Sequence, residues 1–381
     1  MNARPAENSP PTGDSAAGGA SGDRSLVDRL AAALLYEGYI LYPYRASAVK
    51  NQQRFNFGGL YPPAYVQAQS GADAARMQIE ILVVVGPQTT LTLRVRFLHL
   101  VARQISQRVG RRDSPSDLSR VGDVGTAAPP DFDPVDAVEV GGRKYVTWQE
   151  AVEREIPLSV VGVEQVADRP LRHAFSFPAS CTVEPLVDER GAVVAAITRR
   201  QAEIRGAIEI AAVALGDGVY RLHVCVENLA PAAIVNREEA LPATLLSTHA
   251  IFSVAGGEFV SLLEPPDELR APAADCQNIG AWPVLVGTAG ERHTMLASPI
   301  ILYDYPQIAP ESAGDLFDGT EIDEILSLRI MLLTDEEKRE MSAVDDRARK
   351  ILERTEALPE EQFWKMHGVV RGMRPAEETR P

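Results

Sequence analysis

What the chain lacks narrows its function first. Its three cysteines, Cys181, Cys225 and Cys276, lie 44 and 51 residues apart (225 − 181 and 276 − 225), which matches no zinc or iron–sulfur spacing. So sparse and odd a count fits a reducing cytoplasm, not a disulfide framework. Histidine is as thin. His99, His173, His223, His249, His293 and His367 stand singly, with no His-x-x-x-His pair, and the chain has neither a Gly-x-Ser-x-Gly elbow nor a phosphate-binding glycine loop. Positive charge is short too: 38 Lys plus Arg stand against 53 Asp plus Glu, a net charge of −15. Such a field repels phosphate backbones and anionic membrane surfaces, so nucleic acid is excluded as an expected partner. The opening "MNARPAENSPPTGDSAAGGASGDRS" has no apolar core, so it reads neither as a signal peptide nor as a membrane anchor, and no direct membrane insertion is expected.

What is present is enough for sizeable cores: 381 residues, of which 45% are hydrophobic. Residues 1–24 read as a disordered tail. From Ser25, a candidate N-cap, "SLVDRLAAALLYEGY" sets Leu26, Leu30, Leu34 and Leu35 near one face of a helix. "MQIEILVVVGPQTTLTLRVRFLHLVARQI" is rich in β-branched residues and predicts two paired strands over roughly 77–106, turning at Gly86-Pro87. Helix and hairpin together predict a small α+β unit at 25–109. Residues 110–136, polar and rich in Pro and Asp, read as a linker.

Beyond the linker, short apolar runs recur between turn signals such as Asp188-Glu189-Arg190-Gly191 and Gly216-Asp217-Gly218. In "VYRLHVCVEN", Tyr220, Leu222, Val224 and Val226 alternate with Arg221, His223, Cys225 and Glu227, as in a half-buried antiparallel strand. A β-sandwich-like domain is expected at 137–303, with an acidic segment and C-terminal helices at 304–381. There Thr334 and Glu337 form a capping box that opens one charged helix running through "AVDDRARKILERTEAL". The fold class is α+β.

Three constellations carry chemical interest. An aromatic and basic island, "LYPYRASAVKNQQRFNFGGLYP", groups Tyr42, Tyr44, Phe55, Phe57 and Tyr61 with Arg45, Lys50 and Arg54, and no Asp or Glu falls between Glu37 and Asp73. With Asn51 as a neutral partner it offers a phosphate or carboxylate clamp, or a docking surface; its tyrosines equally suit a packed helix-to-loop transition. The second is acidic: Asp304, Glu311, Asp315, Asp318, Glu321, Asp323 and Glu324 lie in a span with no Lys or Arg between Arg292 and Arg329. Such density suits a hard cation, but the stretch fails the EF-hand pattern, and Thr320 as an N-cap with carboxylates in the first turn is the preferred reading. Opposite signs also suggest that island and acidic segment meet, within one chain or across a homodimer. Third, His223 and Cys225 share one face of a strand, where an ordinary strand pair is preferred over a metal or thiolate site. Cys276, in "ADCQNIGAW", reads as packing or turn chemistry.

Two stretches, "LLYEGYILYPYRASAVKNQQRFNFGGLYP" and "SPIILYDYPQIAPESAGDLFDGTEIDEILSLRIMLLTDEEKREM", resemble signature regions of an uncharacterised bacterial protein family. Its members are encoded beside high-affinity, oxygen-tolerant uptake [NiFe]-hydrogenases. The resemblance implies a context, hydrogenase biogenesis or function, and carries no catalytic residue or cofactor with it. The combined expectation is a non-catalytic accessory or assembly protein that meets a hydrogenase subunit or maturation factor through the island. The competing expectation is an enzyme or small-molecule binder that holds an anion at the island and a divalent cation at residues 311–324.

Overall fold

The computed structural model describes residues 18–35, 58–71, 73–109, 132–231, 234–307, 330–344 and 346–357. Helices α1 (Gly18–Leu35) and α2 (Pro63–Ala68) precede strands β1 (Arg76–Arg108), β2 (Phe132–Val135), β3 (Ala137–Val140), β4 (Arg143–Val146) and β5 (Trp148–Val161). Then come α3 (Val163–Asp168), β6 (Leu171–Phe177), β7 (Ser180–Val187), β8 (Val193–Gln201), β9 (Ile204–Gly216) and β10 (Val219–Asn228). The chain continues through α4 (Arg237–Ala240), β11 (Leu246–Val260), α5 (Arg270–Ala274), β12 (Trp282–Leu285), β13 (Thr294–Ser298), α6 (Asp335–Val344) and α7 (Asp346–Glu356). The class is α+β: a curled antiparallel sheet of eleven strands with few helices, and a separate hairpin, β3–β4.

β1 is the spine of that sheet. At about 3.3 Å per residue, its 33 residues would span roughly 110 Å if straight, so the strand must bend. On one edge it pairs in turn with β10 (Arg76–Val84), β5 (Thr90–Arg103) and β2 (Ile105–Arg108); on the other with β11 (Leu82–Leu98) and β8 (Ala102–Gln107). The Gly86-Pro87 signal therefore makes no hairpin. It sits in a bulge, where the register against β11 shifts between Val85 and Thr90. Thr89 fills the gap, its Oγ1 accepting from the Gly86 N–H and donating to the Gly256 carbonyl, both at 2.7 Å. The expected unit at 25–109 and the expected sandwich at 137–303 thus share one sheet, and the last residues of the expected linker, 132–135, are strand β2.

β6 and β7 run back along β9 and β8 as a long ribbon, closed by the Asp188–Gly191 turn, where Asp188 Oδ1 accepts from Arg190 and Ala192. Half of the ribbon joins β10 and half joins the far end of β1, so it arcs across the inner face. There Phe97 meets Phe175 and Phe177 at centroid distances of 6.4 and 5.7 Å. Odd positions of β1, Met77, Ile79, Ile81, Val83, Leu91, Leu93, Val95 and Phe97, face this core, completed by Leu222, Val224, Phe252 and Phe259. Prolines inside strands fall where a ladder donor is dispensable, as at Pro157 of β5 and Pro185 of β7, which pair on one side only. Residues 163–168 form α3, whose Val163 and Val166 plug the same core.

α1 covers the opposite face of the sheet. It begins at Gly18, so Ser25 lies inside the helix and not at its cap, and Val27, Leu30, Ala31 and Leu34 pack on Ile251, Val284, Val286 and Leu296. Asp28 pairs with Arg94 of β1 at 2.7 Å. Two buried histidines act as internal ties. His249 Nε2 donates to the Ala31 carbonyl of α1 (3.1 Å), and His99 Nε2 donates to the Ala202 carbonyl at the ribbon's bend (2.9 Å). Burial holds both pKa values down to about 4, so both rings are neutral near pH 7.

At the C-terminal end the Thr334 capping box is present: Thr334 N–H donates to Glu337 Oε2 (2.7 Å), and Glu337 N–H donates to Thr334 Oγ1 (3.3 Å). The helix it opens is not continuous. α6 ends at Val344, and α7 folds back so that Lys338, near the start of α6, pairs with Glu356 at the end of α7 at 2.9 Å. Among the described residues, no helix is long and apolar enough to cross a membrane.

Candidate functional site

Tyr42, Tyr44, Arg45, Lys50, Asn51, Arg54, Phe55 and Phe57 lie outside the described residues, as do Glu311, Asp315, Asp318, Glu321, Asp323 and Glu324. What the structure does place are the borders of the two stretches that carry the family resemblance, and those borders adjoin. The first stretch departs from the end of α1, where Leu34 gives its carbonyl to Ser247 Oγ (3.2 Å). It returns at Gly58, whose carbonyl accepts from the N–H of Thr248, the next residue, at 3.0 Å. One dipeptide near the start of β11, Ser247-Thr248, thus holds both ends.

The second stretch begins on the same spot. A Cβ placed on Gly58 would lie 2.3 Å from Pro299 Cγ, and Gly58 sits at φ +53°, so only glycine lets the chain pass here without strain. Ile300 and Leu302 pack into the cluster that holds Leu34. The two stretches therefore share a core cluster and a backbone crossing.

From this seat residues 300–305 leave the sheet without regular structure and are pinned at their end, where the chain bends at Asp304 and Tyr305 (φ +56°). Asp304, predicted as part of an acidic cluster, is a structural clasp: Oδ1 accepts from the Leu285 N–H (2.7 Å) and Oδ2 accepts from Ser261 Oγ (2.5 Å). Ser261 Oγ in turn accepts from the N–H groups of Leu263 and Glu264. Tyr305 donates its N–H to the Leu285 carbonyl (2.7 Å) and its hydroxyl to the Glu291 carbonyl (3.0 Å). Exposure alternates along it: Ile300, Leu302 and Asp304 are half-buried, while Ile301 and Tyr303 project, 73% and 87% exposed. Two large apolar side chains on a fixed backbone are a surface ready to be covered, because little ordering entropy is left to lose on docking. The sequence pattern "IILYDY" contained this alternation, but without a visible partner strand nothing in it said which side faced out.

The remaining predicted positions resolve into structure. His223 Nδ1 lies 3.2 Å from Glu80 Oε1, not against Cys225. Glu80 is further engaged by the Gln277 N–H at 2.8 Å. Burial pushes the Cys225 thiol up to about 11, with Glu227 adding to the shift, so no thiolate–imidazolium pair forms. Cys276, likewise raised to about 11 by burial, donates to the Pro272 carbonyl at 3.5 Å, which fits its reading as turn chemistry. Among the described residues, no group of three or more His, Cys, Asp or Glu side chains is arranged to hold a metal ion.

No protein-family model matches the chain, and no curated protein matches it.

Proposed function

We propose that this chain is a non-catalytic accessory or assembly protein of a [NiFe]-hydrogenase, acting in the cytoplasm by contact with a hydrogenase subunit or a maturation factor. The context comes from the resemblance of the two stretches. The observation that carries contact as the mode of action is the pair Ile301 and Tyr303, held outward on a backbone clasped by Asp304 and Tyr305. Tyrosine, with tryptophan and arginine, is among the residues that dominate the energetics of protein interfaces when fully desolvated, and an adjacent apolar side chain such as Ile301 adds area removed from water. The chain leaves the described fold after Leu35 and resumes at Gly58, against Pro299; we take Tyr44 and Arg45, from the aromatic and basic island between them in sequence, as further anchors of the contact.

The test is capture of partners by the tagged full-length chain from its native cells, under conditions in which those cells make hydrogenase. Retention of a hydrogenase subunit or maturation factor, reduced at least about tenfold by Ile301→Ser with Tyr303→Ala, supports the reading. Failure to retain either, or equal retention by the double variant, overturns it.

A further inference from the structure

The β3–β4 hairpin turns at Gly141-Gly142, both at positive φ (57° and 72°), which sets Arg143 and Lys144 just past the tip. Facing the hairpin is α6, whose Glu336, Arg339 and Ser342 fall on one side of the helix at three-residue spacing, with Arg349 of α7 alongside. Between hairpin and helices lies a cleft of about 590 Å³. That volume lies within the range of small-molecule sites, roughly 300–1,000 Å³, and is small for a folded partner.

One buried guanidinium fixes the width of the cleft. Arg103, 8% exposed, donates from Nε to the carbonyl of Val146 at the end of β4 and from Nη2 to the carbonyl of Ala343 in the last turn of α6, both at 3.1 Å. Its Nη1 is held by Glu150 at 2.7 Å, and Glu150 is itself held by Arg199 at 2.9 Å. A cation at a helix C-terminus also favours the helix dipole. The two walls are thus tied to the same side chain and keep their separation whether or not anything lies between them.

The charge of the lining runs against that of the molecule. Arg143, Lys144, Arg339 and Arg349 outnumber Glu139 and Glu336 by four to two, in a chain whose net charge is −15. Arg94, Arg96, Arg103, Arg172 and Arg199 each have a carboxylate within 4.0 Å. Among the described residues, Arg143, Lys144 and Arg339 have none. Glu139 stands opposite Lys144 in the hairpin, Arg339 donates to the Asp335 carbonyl and Arg143 lies over Tyr145. None of the three cations is ion-paired among the described residues, however, and together on one concave surface they focus a positive potential that a compact polyanion relieves.

We propose that this cleft binds a phosphorylated small molecule with at least two negative charges, a pyrophosphate group free or carried by a nucleotide. Cations on two opposed walls match a chain of phosphates better than a single one, and arginine forks pair with phosphate oxygens in bidentate fashion. The site is separate from the Ile301–Tyr303 face, so either reading can fail alone.

The experiment is calorimetric titration of the full chain with sodium pyrophosphate, with ATP and with inorganic phosphate at constant ionic strength. The expected result is saturable one-to-one binding of pyrophosphate or ATP, tighter than that of inorganic phosphate. Equal affinity for pyrophosphate and ATP assigns the recognition to the phosphates alone, and tighter ATP adds the nucleoside. Lys144→Glu and Arg339→Glu, both at exposed positions, should each weaken binding at least about tenfold without moving the ligand-free unfolding midpoint. No saturable binding of either polyanion, or binding that both variants leave unchanged, overturns the proposal.

Discussion

The face at residues 300–305 and the cleft between β4 and α6 are built by opposite means. The face is local in sequence: one short segment is pinned by hydrogen bonds to the Asp304 carboxylate and from Tyr305, and it pushes two large side chains into solvent. The cleft is non-local, joining a hairpin at 137–146 to helices at 335–356 through a charged residue that is nearly buried. A surface of the first kind should survive changes to buried charge, and one of the second kind should not. That contrast can be broken experimentally.

The largest effect is expected at Arg103. Arg103→Met removes a buried cation, strips the Ala343 and Val146 carbonyls of their donor and leaves Glu150 to Arg199 alone. Breaking a buried pair costs about 3–5 kcal/mol when the remaining charge is stranded, and Arg199 should hold the loss near the lower end. Urea unfolding measures it. Pyrophosphate affinity should fall together with stability, while partner capture at the Ile301–Tyr303 face stays at the wild-type level. Loss of both properties in the folded variant would show that the two surfaces are one cooperative unit.

Gly58→Val makes the reciprocal cut. Left-handed backbone costs a residue with a Cβ about 1–2 kcal/mol, and forcing a Cβ against the Pro299 ring adds about 1–3 kcal/mol, so a loss near 3 kcal/mol is expected. The damage falls where the two resembling stretches cross. Capture should drop and pyrophosphate binding should not. Wild-type stability in this variant would mean that the crossing is not made.

How much of this was legible follows from which signals are local. Alternation in "VYRLHVCVEN" placed β10, and Leu222, Val224 and Val226 are indeed fully buried in the core. The Asp188–Gly191 and Gly216–Gly218 turns and the Thr334 capping box were equally plain, because turn and cap chemistry is written within four residues. Gly86-Pro87 misled because the residues that make a turn also make a bulge, and only the partner strand decides between them; β11 runs past the site, with its own Gly256 against the bulge. The break between α6 and α7 has no glycine or proline to announce it and is fixed by the packing of one helix on the other. The cleft was out of reach for the same reason: "GGRK" reads as a charged hairpin tip, and nothing in it points to Arg339 or Arg349.

The buried histidines give a smaller effect that tests both halves of the sheet at once. His249 ties α1 to β11, and His99 ties β1 to the ribbon. Each has its folded pKa lowered from 6.5 to about 4, chiefly by burial, so the native state holds the ring neutral while the unfolded chain takes up a proton below 6.5. The native contribution is therefore complete above 6.5 and is lost as pH falls toward about 4. At pH 5.5 each ring should cost about 1 kcal/mol of stability relative to pH 7.5. His249→Gln keeps a donor for the Ala31 carbonyl and removes the titration, so its stability should fall less steeply over this range. An unchanged acid slope would mean that His249 does not carry the effect.

The smallest effect on stability is expected where the functional effect should be greatest. Ile301 and Tyr303 bury little of their surface, whereas their neighbours Leu302 and Asp304 pack and clasp. Tyr303→Ala should change unfolding free energy by less than about 0.5 kcal/mol, as surface substitutions do, while Asp304→Ala should cost about 1–3 kcal/mol by leaving the Leu285 N–H and Ser261 hydroxyl without their acceptor. Capture should respond in the opposite order per unit of lost stability, strongly at Tyr303 and at Asp304 only as the segment loosens. A Tyr303 variant that unfolds early would place the ring in the architecture, and the outward side of this segment would then have to be read as part of the core.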